Sequence, residues 1–133
     1  MIYLDTAALV KLVRVEAESA ALVAWLNASS GEPLVASALV EVEVPRALRR
    51  SQPGVLGGVA GVLARLNRVE INAAVRANAG AYVEPTLRSL DAIHLATAEL
   101  LIASGNAPTA FVTYDKRLAE AADKAGLPTL APS

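Results

Sequence analysis

The sequence predicts an α/β protein: a three-layer α/β/α arrangement around a central parallel sheet of four to five short strands. Three observations predict it. Short apolar runs alternate along the chain with longer segments of helical periodicity. Ala, Val and Leu dominate while aromatics make up 4% of the residues, a composition suited to helices packed on a buried sheet. Two of the apolar runs lead into carboxylates, Asp5 and Asp115, as expected of strands that deliver side chains to a binding rim.

The elements follow in order. Residues 2–4 read as a central strand that stops at Asp5, and Thr6 is placed to cap the helix carrying Leu9, Val10, Leu12 and Val13. Residues 16–28 form a second predicted helix, with Ala21, Leu22, Trp25 and Leu26 at helical spacing, ended by Gly31-Glu32-Pro33. Residues 34–36 are the second strand, Ser37 a predicted N-cap, and 39–50 the next helix. Pro45 inside that helix removes a backbone hydrogen bond, which predicts a kink or a later first turn. Residues 51–61, with Pro53 and several glycines, predict a loop running into a helix that ends near Asn67. Residues 69–71 are read as a strand, and Asn72 caps a helix reaching about Val83, before Pro85 breaks the chain. Residues 89–104 give the clearest helix, stopped by Gly105-Asn106. A strand at 110–113 leads into Tyr114-Asp115, a helix at 116–125 closes at Gly126, and 127–130 forms an edge strand that tolerates Pro128.

At 133 residues the chain is expected to be a single domain, 1–133, large enough to bury a core without cross-links. It has no cysteine, which excludes disulfides and thiolate metal sites. With 12 basic and 13 acidic side chains there is no global basic field, so any nucleic-acid contact must come from local patches. The most apolar window, 54–64, falls well short of the roughly 20 residues that span a bilayer. An acid as early as Asp5 argues against a signal peptide, and a cytoplasmic protein without membrane association is expected.

Four acids stand on apolar elements: Asp5 and Asp115 after strands, Glu43 among Val42, Val44 and Ala47, and Asp91 in the first turn of the 89–104 helix. Singly, each has a simpler explanation. Asp91 suits a helix dipole, Asp115 suits an N-cap, and Glu43 suits a surface position, with Glu41 competing for its role. Together they predict a cluster. Clustered carboxylates repel one another unless a cation neutralises them, and oxygen-only ligands select Mg²⁺ or Mn²⁺ over zinc. That chemistry suits metal-dependent phosphodiester hydrolysis.

At this point the sequence resembles PIN-domain ribonucleases, specifically VapC-type toxins of bacterial type II toxin–antitoxin pairs. The likeness spans the chain and rests on four blocks in order: Met1-Ile2-Tyr3-Leu4-Asp5-Thr6-Ala7-Ala8-Leu9-Val10-Lys11-Leu12, Ser37-Ala38-Leu39-Val40-Glu41-Val42-Glu43-Val44-Pro45-Arg46-Ala47-Leu48, Leu90-Asp91-Ala92-Ile93-His94-Leu95-Ala96-Thr97-Ala98, and Val112-Thr113-Tyr114-Asp115-Lys116-Arg117-Leu118. The resemblance implies a PIN-like fold and an Mg²⁺- or Mn²⁺-dependent endoribonuclease that cuts structured RNA such as tRNA or ribosomal RNA, leaving a 5′-phosphate and a 3′-hydroxyl. It implies catalytic acids at Asp5, Glu43, Asp91 and Asp115, with Glu43 rather than Glu41 matching the family acid, and a supporting hydroxyl at Thr113. It further implies a homodimer silenced by a VapB-type antitoxin. The family often has Ser where this chain has Ala7, and Pro45 is unusual in the Glu43 helix.

Within that reading Asp5, Asp91 and Asp115 bind metal, Glu43 holds or orients water, and Thr6 and Thr113 support the acids from behind. Arg46, Arg49, Arg50, Lys116 and Arg117 are the candidate contacts to RNA phosphates, with Lys11 and Arg14 as additions; a solvated helix face explains any one of them equally well. His94, the only histidine, lies three residues after Asp91, and a packed or supporting role is favoured over a general base. Tyr114 offers a surface for base stacking, with packing favoured, and Trp25 reads as core or interface. Two other classes compete. A catalytically inactive PIN-fold RNA-binding or interaction module would lack one of the acids. A haloacid dehalogenase-type phosphatase would need a second Asp at position 7, where Ala7 stands.

Overall fold

Every strand is short, and the three central ones send alternate residues to opposite faces, as a parallel sheet covered on both faces requires. The computed structural model describes residues 1–133. Its strands are β1 (Ile2–Leu4), β2 (Leu34–Ser37), β3 (Leu66–Val69), β4 (Ala110–Val112) and β5 (Thr129–Leu130). All neighbours pair in parallel, in the order β3-β2-β1-β4-β5. Ile2, Leu4, Ala36, Ala110 and Val112 point into one core; Tyr3, Val35 and Phe111 point into the other. Period-two alternation thus divides a continuous apolar run between two layers.

The helices are α1 (Thr6–Val13), α2 (Ser19–Ala28), α3 (Val40–Ser51), α4 (Val59–Ala64), α5 (Ala73–Ala81), α6 (Ser89–Ala103) and α7 (Lys116–Lys124). Leu9, Leu22, Val44, Leu48 and Val59 bring α1 to α4 onto the first face, whereas Leu95, Ala98, Leu118 and Ala122 bring α6 and α7 onto the second. Fully burying one such aliphatic side chain contributes about 1.5–3 kcal/mol. The helix after β1 therefore leaves to one face and the helix after the adjacent β4 leaves to the other. A crevice opens between their carboxyl ends, the usual place for a ligand in an open parallel sheet.

Several local expectations are corrected. Asp5, not Thr6, caps α1, because its carboxylate accepts the Ala8 N–H at 2.9 Å. Residues 16–18 are not helical: Ser19 Oγ donates to the Lys11 carbonyl at 2.7 Å and accepts the Glu16 N–H at 2.8 Å, folding that stretch into a turn. Ser37 ends β2 and its hydroxyl accepts the Leu39 N–H at 3.1 Å, so it makes a local turn instead of capping α3. Helix α3 runs unbroken through Pro45. The carbonyl deprived of a donor is that of Glu41, an exposed residue. Residues 53–58 form a 3-10 helix, α4 stops at Ala64, and β3 starts at Leu66, earlier than the 69–71 strand expected. Asn72 does cap its helix, accepting from the Val75 N–H at 2.9 Å. Helices α6 and α7 end in left-handed glycines, Gly105 at φ 80° and Gly126 at φ 86°, and the residues after them close the last turns through Asn106 N–H to Leu101 O and Leu127 N–H to Ala122 O.

Candidate active site

The crevice at the carboxyl end of β1 and β4 is a cleft of about 320 Å³ lined by Asp5, Glu43, Asp91 and Asp115, together with Thr6, Lys11, Arg14, Glu16 and His94. Four elements or their leading loops supply the acids. Asp5 follows β1, Asp115 precedes α7, Glu43 lies on α3 and Asp91 in the first turn of α6.

Asp5 is 3% exposed. Its Oδ1 accepts the Ala8 N–H at 2.9 Å and its Oδ2 the Thr113 hydroxyl at 2.6 Å. Burial pushes its carboxyl above the usual carboxylate range, against the opposing pull of the His94 ring and these two donors. The same Thr113 oxygen accepts the Asp115 N–H at 3.1 Å, and Asp115 Oδ1 in turn accepts the Leu118 N–H at 2.9 Å. Asp115 is therefore the N-cap of α7, three residues beyond the end of β4, and not the last residue of the strand. Capping and pointing into the cleft are compatible, because a carboxylate has lone pairs to spare.

Asp91 is partly buried, and its carboxyl is raised by that burial and by the charge of Asp115. Arg88 stands beside both: its Nε lies 3.9 Å from Asp91 Oδ2 and an Nη 4.0 Å from Asp115 Oδ2. Glu43 is held differently. Its Oε1 accepts from Thr6 Oγ1 at 2.5 Å and from His94 Nε2 at 3.1 Å. Burial pushes Glu43 upward, but the bonds from His94 and Thr6 outweigh it and leave the carboxyl below its usual range. Glu41 faces away and pairs with Arg68 at 3.4 Å, so Glu43 is the α3 acid in the cleft.

The basic residues separate into three groups. Arg46 and Arg50 line a groove that adjoins the acids, with Thr6, Val42, Ala47 and Leu90. Arg49, Lys116 and Arg117 are exposed but line neither cleft nor groove. Lys11 and Arg14 are already engaged. Lys11 Nζ is 3.2 Å from Glu16 and 3.0 Å from Glu18, and sits 4.6 Å over the Tyr114 ring, while Arg14 pairs with Glu16 at 3.2 Å. Tyr114 donates to the Pro132 carbonyl at 2.8 Å and packs on the core, as does Trp25. Sequence reading passed over Arg88; its signal was the i,i+3 spacing to Asp91.

No three acidic or histidine side chains are gathered closely enough to chelate an ion as they stand. The donor chemistry nevertheless fits a hard cation. The lining acids are all oxygen donors, Asp5 and Asp91 are raised chiefly by burial, which a bound cation would offset, and Glu43 Oε2 has no protein partner. Arg88 meets part of that demand from the rim, while Lys11, which also lines the cleft, is neutralised by its own glutamates.

A parallel sheet whose crevice gathers four carboxylates gives an α/β/α scaffold with an acidic cleft beyond the carboxyl ends of its strands. The PIN domain profile matches residues 2–124, and the chain belongs to the PIN-domain family. It is 55% identical over 133 residues to ribonuclease VapC35 of Mycobacterium tuberculosis, covering 99% of this chain and 97% of that protein. Among solved structures it is similar to M. tuberculosis VapC20, described as a sarcin–ricin loop cleaving toxin, with a TM-score of 0.73, 19% identity and coverage of 99% and 100%. It is also similar to a chain of a toxin–antitoxin complex from Klebsiella pneumoniae, with a TM-score of 0.68, 21% identity and coverage of 100% and 98%. These structural likenesses carry the fold. No helix of this chain is long and apolar enough to cross a membrane.

Proposed function

We propose that this protein is a divalent-metal-dependent endoribonuclease of the VapC type, a growth-inhibiting toxin that hydrolyses phosphodiester bonds of structured RNA. The observation that carries the reading is the convergence of Asp5, Glu43, Asp91 and Asp115 on one cleft, in a chain 55% identical to a VapC ribonuclease. With every acid present, the inactive-module alternative has no support. The same reading makes the protein cytoplasmic, a homodimer, a single functional unit over 1–133, and the target of a VapB-type antitoxin that covers the groove.

Asp5, Asp91 and Asp115 would hold Mg²⁺ or Mn²⁺. When bound, the ion supplies positive charge to the phosphoryl oxygens and acidifies water. Thr113 and the Ala8 N–H hold Asp5 with one lone pair on each oxygen free. Glu43 offers its unpartnered Oε2 to accept a proton-bearing water and orient it towards phosphorus. Arg46 and Arg50 flank the acids and suit backbone phosphates, whereas Arg49, Lys116 and Arg117 extend the positive surface beyond the cleft. Arg88, beside Asp91 and Asp115, is a further phosphate contact.

The test is cleavage of tRNA and ribosomal RNA by the purified chain with Mn²⁺ or Mg²⁺. Cleavage is expected to stop on chelation and to fall by about 10²-fold or more in Asp5→Asn and Asp91→Asn with the fold intact. Variants that cut at the wild-type rate would overturn the assignment. Asp5→Asn is further expected to act by weakening ion binding, which calorimetry with Mn²⁺ measures directly.

A further inference from the structure

The cleft contains a buried polar chain that the metal chemistry does not use. Tyr3 on β1 is fully buried, and its hydroxyl lies 2.8 Å from His94 Nδ1. His94 on α6 is 2% exposed, and its Nε2 lies 3.1 Å from both Glu43 Oε1 and Thr6 Oγ1. The Tyr3 ring is itself fixed, stacked on Phe111 at 4.9 Å. Three helices at the cleft are joined through this one imidazole: α1 through Thr6, α3 through Glu43, and α6, on which His94 follows Asp91 by one turn.

The donors can be assigned. Thr6 Oγ1 has a single hydrogen, and at 2.5 Å from Glu43 Oε1 it is committed there. Its lone pairs and the Glu43 carboxylate are then both acceptors, so the hydrogen facing them must be on His94 Nε2. When the ring is neutral, that leaves an acceptor at Nδ1, which the Tyr3 O–H satisfies. The result is directional: Tyr3 donates to His94, and His94 donates to Glu43. Oε1 is thereby saturated by two donors, and Oε2 is left without a protein partner.

We propose that His94, set in its Nε2–H form by Tyr3, is a positioning residue that fixes the Glu43 carboxylate and determines which of its oxygens meets the substrate side. This rests on the ribonuclease reading of the cleft.

Because His94 is the only histidine, ¹⁵N-histidine labelling gives a single imidazole whose tautomer is read directly under mildly alkaline conditions. Hydrogen on Nε2 and a bare Nδ1 are expected, with the Nδ1 resonance shifting in Tyr3→Phe, a change that keeps the stacked ring. In RNA cleavage, His94→Leu should lower kcat by about 10²-fold with KM within about twofold of wild type, as a misplaced group in the transition state would. His94→Gln, whose amide can still donate to Glu43, should recover about tenfold of that loss. In a Glu43→Gln background, His94→Leu should cost less than about twofold more, since both changes remove one interaction. A hydrogen on Nδ1, no recovery by a folded His94→Gln, or fully additive losses would each overturn the assignment. If the wild type leaves RNA uncut, the ribonuclease reading falls whatever the tautomer; if it cuts RNA with the reversed tautomer, only the role of His94 falls.

Discussion

Thr113 joins Asp5 to Asp115: its hydroxyl donates to Asp5 Oδ2 at 2.6 Å while accepting the backbone N–H of Asp115 at 3.1 Å. One side chain thus sets both the carboxylate after β1 and the start of α7 after β4, and it does so 2% exposed. Thr113→Val keeps the shape and removes the hydroxyl. It should leave a buried carboxylate oxygen and an N–H short of partners and destabilise the fold by about 1–3 kcal/mol, whereas Thr113→Ser should be close to neutral. Urea unfolding of the two variants checks this, and equal stability of Thr113→Val and Thr113→Ser would show that the hydroxyl does not matter.

Acid titration should divide the acids by sign. Asp5 and Asp91 have folded pKa values raised above 3.8, so they bind protons more readily folded than unfolded. Their contribution to stability is full below that ordinary value and is lost as pH rises through the raised values. Glu43 is lowered below 4.5, so its contribution is present above that value and is lost as pH falls through the folded one. In chelator, Asp5→Asn should flatten the decline on the upper side of the acid range and Glu43→Gln the decline on the lower side. Urea midpoints against pH give both, and the opposite pairing would contradict the assigned causes.

Arg88 is the one cation set against both Asp91 and Asp115, and its side chain is 70% exposed. Removing it should make the cleft more negative while taking away a phosphate contact. Arg88→Ala is therefore expected to tighten Mn²⁺ binding several-fold and to raise the KM for RNA, with a shallower dependence of RNA binding on salt. Calorimetry and cleavage kinetics report the two effects separately. A loss of both affinities would mean that Arg88 organises the acids instead of competing for them.

The legible part of this fold was its layering. Ile2-Tyr3-Leu4 and Ala110-Phe111-Val112 are too apolar to be anything but buried strands, and the acids that follow them fixed the rim. Edge strand β3 was less legible, because burial does not dictate its pattern. Leu66 is buried but Asn67 and Arg68 are exposed, so Val69 and Ile71, two apolar residues at strand spacing, drew the expectation three residues too late. Glu16 and Glu18 were taken for helix and are in fact the counterions of Lys11, a tertiary pairing that local propensity does not register. At the site, which acids gather was readable from their apolar neighbours. That Thr6 serves Glu43, and that His94 reaches it from across the sheet, depends on how three elements pack and leaves no mark in residue spacing.

Asp91 offers a test in which stability reverses with the ion. Burial and the charge of Asp115 both penalise its ionised form, and Arg88 at 3.9 Å is only partial relief. In chelator, Asp91→Asn removes that penalty and should raise Tm. With Mn²⁺ at about 100 times its Kd, wild type gains about 2.7 kcal/mol by mass action, and the variant, lacking one ligand, should gain much less. The order of the two melting temperatures should therefore invert between chelator and Mn²⁺. A variant less stable than wild type under both conditions would place Asp91 in a structural role at the start of α6, and a variant that gains as much from Mn²⁺ as wild type would remove it from the ion's ligands.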